Sequence, residues 1–164
     1  MAPCFPDLPW TKSFFLDACA IVKLLIEEKH SDLVRNCFDD PLSLFFTTNF
    51  CFFESLSVLK REWCKKKIST NKYRDSCRLL FAYIKERRIK IHEYPMADLS
   101  DFVKLEDLTQ RYNIDISDSL QLLSIKETIL SKLAGESETT LLTADGDLAK
   151  AAREEGVKVV DLSK

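Results

Sequence analysis

SFFLDACAIVKLLI, residues 13–26, is the stretch of this chain that decides the fold. Its first four residues form a short apolar run, which is typical of a strand buried on both faces of a sheet. Asp17 ends the run, and apolar residues then recur at helical spacing. This order of strand, carboxylate and helix places Asp17 at the carboxyl end of a strand, where open α/β sheets bind ligands. Taken alone, Asp17 is as readily explained as the N-cap of the helix.

The same alternation of apolar strands and amphipathic helices continues along the chain. Further strands are predicted at 44–47, 89–93, 140–142 and 157–160, and further helices at 30–38, 50–67, 69–88, 98–112, 117–133 and 148–155, with a polar loop at 135–138. Strands separated by helices favour a five-stranded parallel sheet with helices on both faces, an α/β fold. Residues 1–12 contain three prolines and are predicted to form an extended arm before a single domain at 13–164.

Composition is that of an ordinary soluble protein, with 46% hydrophobic and 30% charged residues. No window approaches the roughly 18 apolar residues of a membrane span, so no membrane association is expected. The six cysteines include no CxxC pair, and the chain has only two histidines. These features argue against a zinc site and favour free thiols in a reducing cytoplasm.

Charge is distributed unevenly along the chain. Between Lys60 and Lys90 there are twelve basic residues against three acidic ones, although the whole chain has a net charge of −2. A basic middle with acidic flanks suggests an anionic partner. The basic side chains expected to form a ridge near the turn between two helices are Lys65, Lys66, Lys67, Lys72, Arg74 and Arg78.

Four carboxylates occupy comparable places in the predicted elements. Asp17 and Asp145 follow apolar strands, whereas Glu54 and Asp118 lie near helix starts. Each has a structural explanation of its own: a cap, a residue on the solvent face, or a charge that favours the helix dipole, with Ser117 as the cap before Asp118. Because all strand-to-helix junctions of a parallel sheet face the same edge, the four acids are expected to converge. A divalent cation would relieve their repulsion, and oxygen ligands favour Mg²⁺ or Mn²⁺.

At these residues the chain resembles a PIN domain, the ribonuclease fold of VapC-type toxins and of many RNA-processing nucleases. The resemblance covers about residues 13–161. Its four blocks are FFLDACAIVKLL, FFESLSVLKRE, SDSLQLLSI and LLTADGDLAKAA, and the closing GVKVVDL is similar to the last strand of the family. One departure is that the Ser or Thr often found after the first Asp is replaced by Ala18 and Cys19, which removes a supporting hydroxyl.

The resemblance implies a three-layer α/β/α fold and a Mg²⁺- or Mn²⁺-dependent ribonuclease. The metal ligands and catalytic residues it implies are Asp17, Glu54, Asp118 and Asp145. Asp115 and Asp147 stay open as alternative or supporting ligands, and Thr143 as a residue that orients a metal-bound water. The implied partners are an RNA substrate, an antitoxin protein and a second copy of the chain in a homodimer.

Particular residues distinguish this chain from other protein classes that have acids at strand ends. A haloacid dehalogenase phosphatase would have an Asp at position 19, where this chain has Cys19, and a receiver domain does not suit the long basic helices. A stand-alone RNA-processing nuclease and a non-catalytic module with the same fold remain alternatives to a toxin. The non-catalytic module is disfavoured because none of the four acids is missing.

Overall fold

The computed structural model describes residues 12–128 and 138–164. The strands are β1 (Lys12–Leu16), β2 (Ser43–Thr47), β3 (Lys90–Ile91), β4 (Thr140–Thr143) and β5 (Lys158–Asp161). The helices are α1 (Ala18–Leu25), α2 (Ser31–Asp39), α3 (Asn49–Cys64), α4 (Thr70–Lys85), α5 (Leu99–Tyr112), α6 (Ile116–Glu127) and α7 (Gly146–Glu154). The predicted α/β fold with a five-stranded parallel sheet is confirmed.

The strand order β3-β2-β1-β4-β5 determines where the sheet offers a binding crevice. The chain runs outward from β1 through β2 to β3, and then returns to the other side of β1 to form β4 and β5. Phe15 of β1 pairs in parallel with Phe46 of β2 on one side and with Leu141 of β4 on the other. The order reverses between β1 and β4, and in open α/β sheets ligands bind outside the carboxyl ends of the strands at such a point.

Alternate residues of the central strands point to opposite faces of the sheet and build two cores. Phe14 and Leu16 pack with the helices α1 to α4, whereas Phe15 packs with α5, α6 and α7. Leu142 and Leu141 of β4 divide in the same way. The sheet is therefore the middle layer of an α/β/α arrangement, which explains why its central strands are apolar on both faces.

Several predicted boundaries need correction. α3 ends at Cys64 and α4 at Lys85, three residues earlier than predicted in each case. β3 is only two residues long. The N-cap of α6 is Asp115 and not Ser117, and its carbonyl accepts the amide N–H of Ser119 at 3.0 Å.

Some predictions fall on residues that the structure does not describe. These are the polar loop, of which only residue 138 is described, the end of the sixth predicted helix and all of the arm except Lys12, which is the first residue of β1. Across residues 12–128 and 138–164, no helix combines the length and the apolar character that crossing a membrane requires.

Candidate functional site

Six carboxylates line one pocket of about 340 Å³ at the carboxyl edge of the sheet, beside the β1/β4 switch point. They are supplied by the end of β1, by the segment between α1 and α2, by α3, by the start of α6 and by the start of α7: Asp17, Glu28, Glu54, Asp115, Asp118 and Asp145. We call this depression the acid pocket. It contains the four acids predicted as metal ligands, together with Asp115, which the sequence left open, and Glu28, which the sequence did not indicate.

Asp17 is the most firmly held of these acids. Its side chain is buried, and Oδ2 accepts hydrogen bonds from the Thr143 hydroxyl at 2.7 Å and from the Cys19 thiol at 3.1 Å. Its Oδ1 accepts the amide N–H of Ala18 at 2.6 Å, which makes Asp17 the N-cap of α1. Capping and placement in the pocket are therefore compatible. The Cys19 thiol and the Thr143 hydroxyl, which comes from the neighbouring strand, thus both bond to the same carboxylate oxygen.

Thr143 also fixes the second acid at the switch point. Its buried Oγ1 accepts the amide N–H of Asp145 at 2.9 Å while it donates to Asp17. Asp145 caps α7 through Oδ1, which accepts the amides of Asp147 and Leu148 at 2.8 and 2.9 Å. The cap uses one carboxylate oxygen only. The side chain of Asp147 is exposed and does not line the acid pocket.

Asp118 is the acid of the pocket whose pKa is raised most clearly. Burial is the largest cause of a raised pKa, the charges of Asp17, Asp145, Asp115 and Glu54 add to it in that order, and together they bring the pKa of Asp118 to about 7. An ordinary aspartate has a pKa of 3.8. Repulsion of this kind is what a bound cation removes.

Gln121 connects two of the acids and was not identified from the sequence. It is 1% exposed, and its Nε2 donates to Oδ1 of Asp17 at 3.2 Å and to Oδ1 of Asp118 at 3.3 Å. Its Oε1 is buried without a hydrogen-bond partner among the described residues. The spacing of three residues from Asp118 on one helix was the available signal, because such residues share a face.

Glu54 forms the opposite wall of the acid pocket. Desolvation raises its pKa, with Asp17 the next contributor, whereas the positive charge of Arg61 lowers it. Arg61 follows Glu54 by seven residues on α3 and is the only cationic side chain among the described residues that line the acid pocket. Its guanidinium makes no hydrogen bond or ion pair with any described residue. Sequence analysis had counted Arg61 among the basic residues without assigning it to the site.

The chemistry of the donors fits a hard divalent cation. The pocket offers several carboxylate oxygens and no histidine, which suits Mg²⁺ or Mn²⁺ better than a soft metal; the buried Thr143 hydroxyl does not line the pocket but bonds to Asp17 from behind. In the part of the chain that the structure describes, no three His, Cys, Asp or Glu side chains stand close enough to hold a metal ion as they are. The acids thus line one pocket, but among the described residues their side chains are not close enough together to coordinate one ion.

The predicted basic ridge lies away from the acid pocket. Lys65, Lys66 and Lys67 form the turn between α3 and α4 as expected, and all three are exposed. Lys67 pairs with Glu62 at 2.9 Å, and Arg78 lies 3.7 Å from Asp75. Lys72 and Arg74 are exposed on α4. None of the six predicted basic residues lines the acid pocket.

No family model matches the chain, and no curated protein matches it significantly.

Proposed function

We propose that this protein is a metal-dependent ribonuclease of the PIN type, with the acid pocket as its active site. The observation that carries the proposal is the convergence of six carboxylates at the switch point of a parallel sheet, where burial and then the neighbouring negative charges raise the pKa of Asp118 to about 7. Strongly perturbed acids in a cleft are characteristic of functional sites. The toxin of a toxin–antitoxin pair is the biological setting we propose.

Asp17, Glu54, Asp118 and Asp145 would hold the cation, and Asp115 lies beside them on the pocket wall. When bound, Mg²⁺ or Mn²⁺ supplies a Lewis acid that lowers the pKa of a water and neutralises charge on a phosphodiester. Two residues of the chain hold these acids in position. Thr143 fixes Asp17 relative to Asp145, and Gln121 fixes Asp17 relative to Asp118. The product ends would form by hydrolysis, without a covalent enzyme intermediate.

The experiment that tests this proposal is cleavage of single-stranded RNA of mixed sequence with Mg²⁺ or Mn²⁺, compared with the same reaction in chelator. Wild type is expected to cleave only with metal, and Asp17→Asn is expected to lose cleavage while keeping its fold. Asp32→Asn is the matched control, because Asp32 is exposed on α2 and does not line the acid pocket. Full activity of purified Asp17→Asn, or no cleavage by wild type with either metal, would overturn the proposal. In the second case the non-catalytic module becomes the better description.

A homodimer and an antitoxin remain predictions. Exposed apolar side chains on α3 and α4, among them Phe53, Leu79 and Phe81, are compatible with a protein partner. Sedimentation at increasing protein concentration tests the homodimer directly.

A further inference from the structure

A groove of about 850 Å³ runs along the outer face of α3, next to the acid pocket. Its lining residues recur at intervals of three or four, so they share one face of the helix: Phe50, Phe53, Glu54, Ser57, Lys60, Arg61 and Cys64. We call it the α3 groove. Glu54 and Arg61 line both this groove and the acid pocket, so the two depressions are continuous.

The α3 groove also connects the acids to the basic turn. Cys64, at the end of the groove, lines a further depression of about 690 Å³ together with Lys66 and Lys67. From Glu54 to Cys64 the helix advances about 15 Å. A single continuous surface therefore leads from the acid pocket, along α3, to the turn that follows it.

The side chains in the α3 groove are of two chemical kinds. Phe50 and Phe53 are 57% and 62% exposed, and they lie at the end of α3 nearest the carboxyl edge of the sheet. Lys60 and Arg61 lie further along the groove, and neither side chain has a hydrogen bond or an ion pair with a described residue. Exposed aromatic rings beside unpaired cations are the combination that binds single-stranded nucleic acid, because bases stack on the rings and phosphates meet the cations.

We infer that the α3 groove binds the single-stranded RNA next to the phosphodiester that is cleaved, with Arg61 on a flanking phosphate and Phe50 and Phe53 stacked on bases. This inference rests on the proposed ribonuclease function. Arg61 is the key residue, since it lies where the groove meets the acids, and a guanidinium can grip phosphate with two parallel hydrogen bonds. The unpaired cations and the continuity with the acid pocket favour a polyanion over a protein partner.

The path inferred here for the RNA differs from the path along the basic ridge that the charge pattern of the sequence predicted. The RNA would follow the outer face of α3 and reach Lys66 and Lys67 at its far end, whereas Lys72, Arg74 and Arg78 on α4 would lie outside its path. The two paths differ because a basic residue can be exposed on a helix without lying near the acid pocket.

Binding is tested first, separately from cleavage. A short fluorescent single-stranded RNA is titrated in the Asp17→Asn background, with Arg61→Ala, Phe50→Ala and Lys150→Ala added singly. Arg61→Ala is expected to weaken binding and to reduce the salt slope by about 0.7, the value for one lost phosphate contact on a single strand. Phe50→Ala is expected to weaken binding about five- to a hundredfold through lost stacking, with little change in slope. Lys150 is exposed on α7 and lines none of the three depressions, so Lys150→Ala is the charge control.

Neutral methylphosphonate links then locate the contact. They are placed one at a time beside the cleaved position in RNA given to otherwise wild-type enzyme and to Arg61→Ala. One position is expected at which neutralising the phosphate slows wild type but leaves Arg61→Ala unchanged. An Arg61 effect of the same size at every position would overturn the assignment of Arg61 to a flanking phosphate.

The outcomes separate this inference from the proposed function. No metal-dependent RNA cleavage by wild type would overturn the function itself. Cleavage by wild type, with Arg61→Ala and Phe50→Ala both binding RNA like Lys150→Ala, would overturn only the inference. Sedimentation of each variant provides a further check: loss of RNA binding that follows dissociation of a dimer into monomers would identify the α3 groove as a protein interface and would overturn the inference as well.

Discussion

At the scale of single residues, Asp118 makes the stability of the metal-free protein depend on pH. Its pKa of about 7 in the folded state exceeds its ordinary value of 3.8, so between these values the folded protein keeps a proton that the unfolded chain releases. The stability that Asp118 contributes is therefore greatest at low pH and falls as pH rises from about 4 to about 7. We expect Asp118→Asn, which preserves the acceptor for Gln121, to remove this dependence.

The measurement is thermal unfolding in chelator at about pH 5 and about pH 8. At the higher pH we expect Asp118→Asn to be more stable than wild type by about 1–2 kcal/mol, less than the full shift because Asp118 is only partly buried and water screens its charge. Asp32→Asn, which removes an exposed acid outside the pocket, should leave the stability at both pH values unchanged. Equal pH dependence of wild type and Asp118→Asn would mean that burial and the neighbouring acids do not raise the pKa of Asp118 as described.

Substitutions of Asp145 and Asp147 test which of the two acids is the metal ligand. Asn is as good an N-cap as Asp, so Asp145→Asn keeps the cap of α7 and removes only the charge. We expect this variant to lose RNA cleavage with little change in its urea midpoint. Asp147→Asn changes an exposed side chain outside the acid pocket and should keep cleavage. A reversal of the two results would make Asp147 the ligand.

The positions of these acids could be predicted from the sequence, but their supporting contacts could not. A strand followed by an acid places Asp17 and Asp145 at a known edge of a parallel sheet, which needs only local pattern and one topological rule. Gln121 and Thr143 act through hydrogen bonds across 104 and 126 residues of sequence. No local pattern contains such contacts, because they depend on how α6 and β4 pack beside β1.

At the scale of elements, the ends of α3 and α4 show why two predicted helices were too long. Each ends with a residue in the left-handed region, Lys66 at φ 58° and Arg87 at φ 58°, where glycine is usual. The backbone bonds of a Schellman motif are present after α3, with Lys66 N–H donating to the Trp63 carbonyl and Lys67 N–H to that of Glu62, both at 2.9 Å. The end of α7 was predicted within one residue because Gly156, at φ 80°, marks it.

This geometry predicts that Lys66→Gly stabilises the protein. An L-residue at positive φ costs about 1 kcal/mol or more, which glycine avoids, although part of the gain is offset by the greater freedom of glycine in the unfolded chain. We expect a gain of about 0.5–1 kcal/mol in the free energy of unfolding, measured from the urea midpoint. Lys65→Gly is the matched control, since Lys65 has φ −75° and glycine there should be neutral or destabilising. A lower midpoint for Lys66→Gly would show that the Lys66 side chain stabilises the turn by contacts that outweigh the strain.

At the scale of the whole molecule, the acid pocket links metal binding to global stability. Its walls come from both faces of the sheet, since α1 and α3 lie on one side and α6 and α7 on the other. Unfolding would scatter these acids, so a cation that binds them stabilises the folded state alone. At a cation concentration of about 100 times the dissociation constant, the gain is about 2.7 kcal/mol.

We therefore expect Mg²⁺ or Mn²⁺ to raise the melting temperature of the wild type by about 5–10 °C in chelator-free buffer at about pH 8. Asp17→Asn should lose most of this shift, because it removes the acid that both Thr143 and Gln121 hold in place. Asp32→Asn should keep the whole shift, which separates binding in the pocket from general screening of surface charge. An equal shift in all three proteins would place the cation elsewhere, even if the fold and the pocket are as described. A shift that is abolished by Asp17→Asn would instead place the metal at the carboxyl edge of β1, because Asp17 is the acid of the pocket that, among the described residues, hydrogen-bonds to side chains of both β4 and α6.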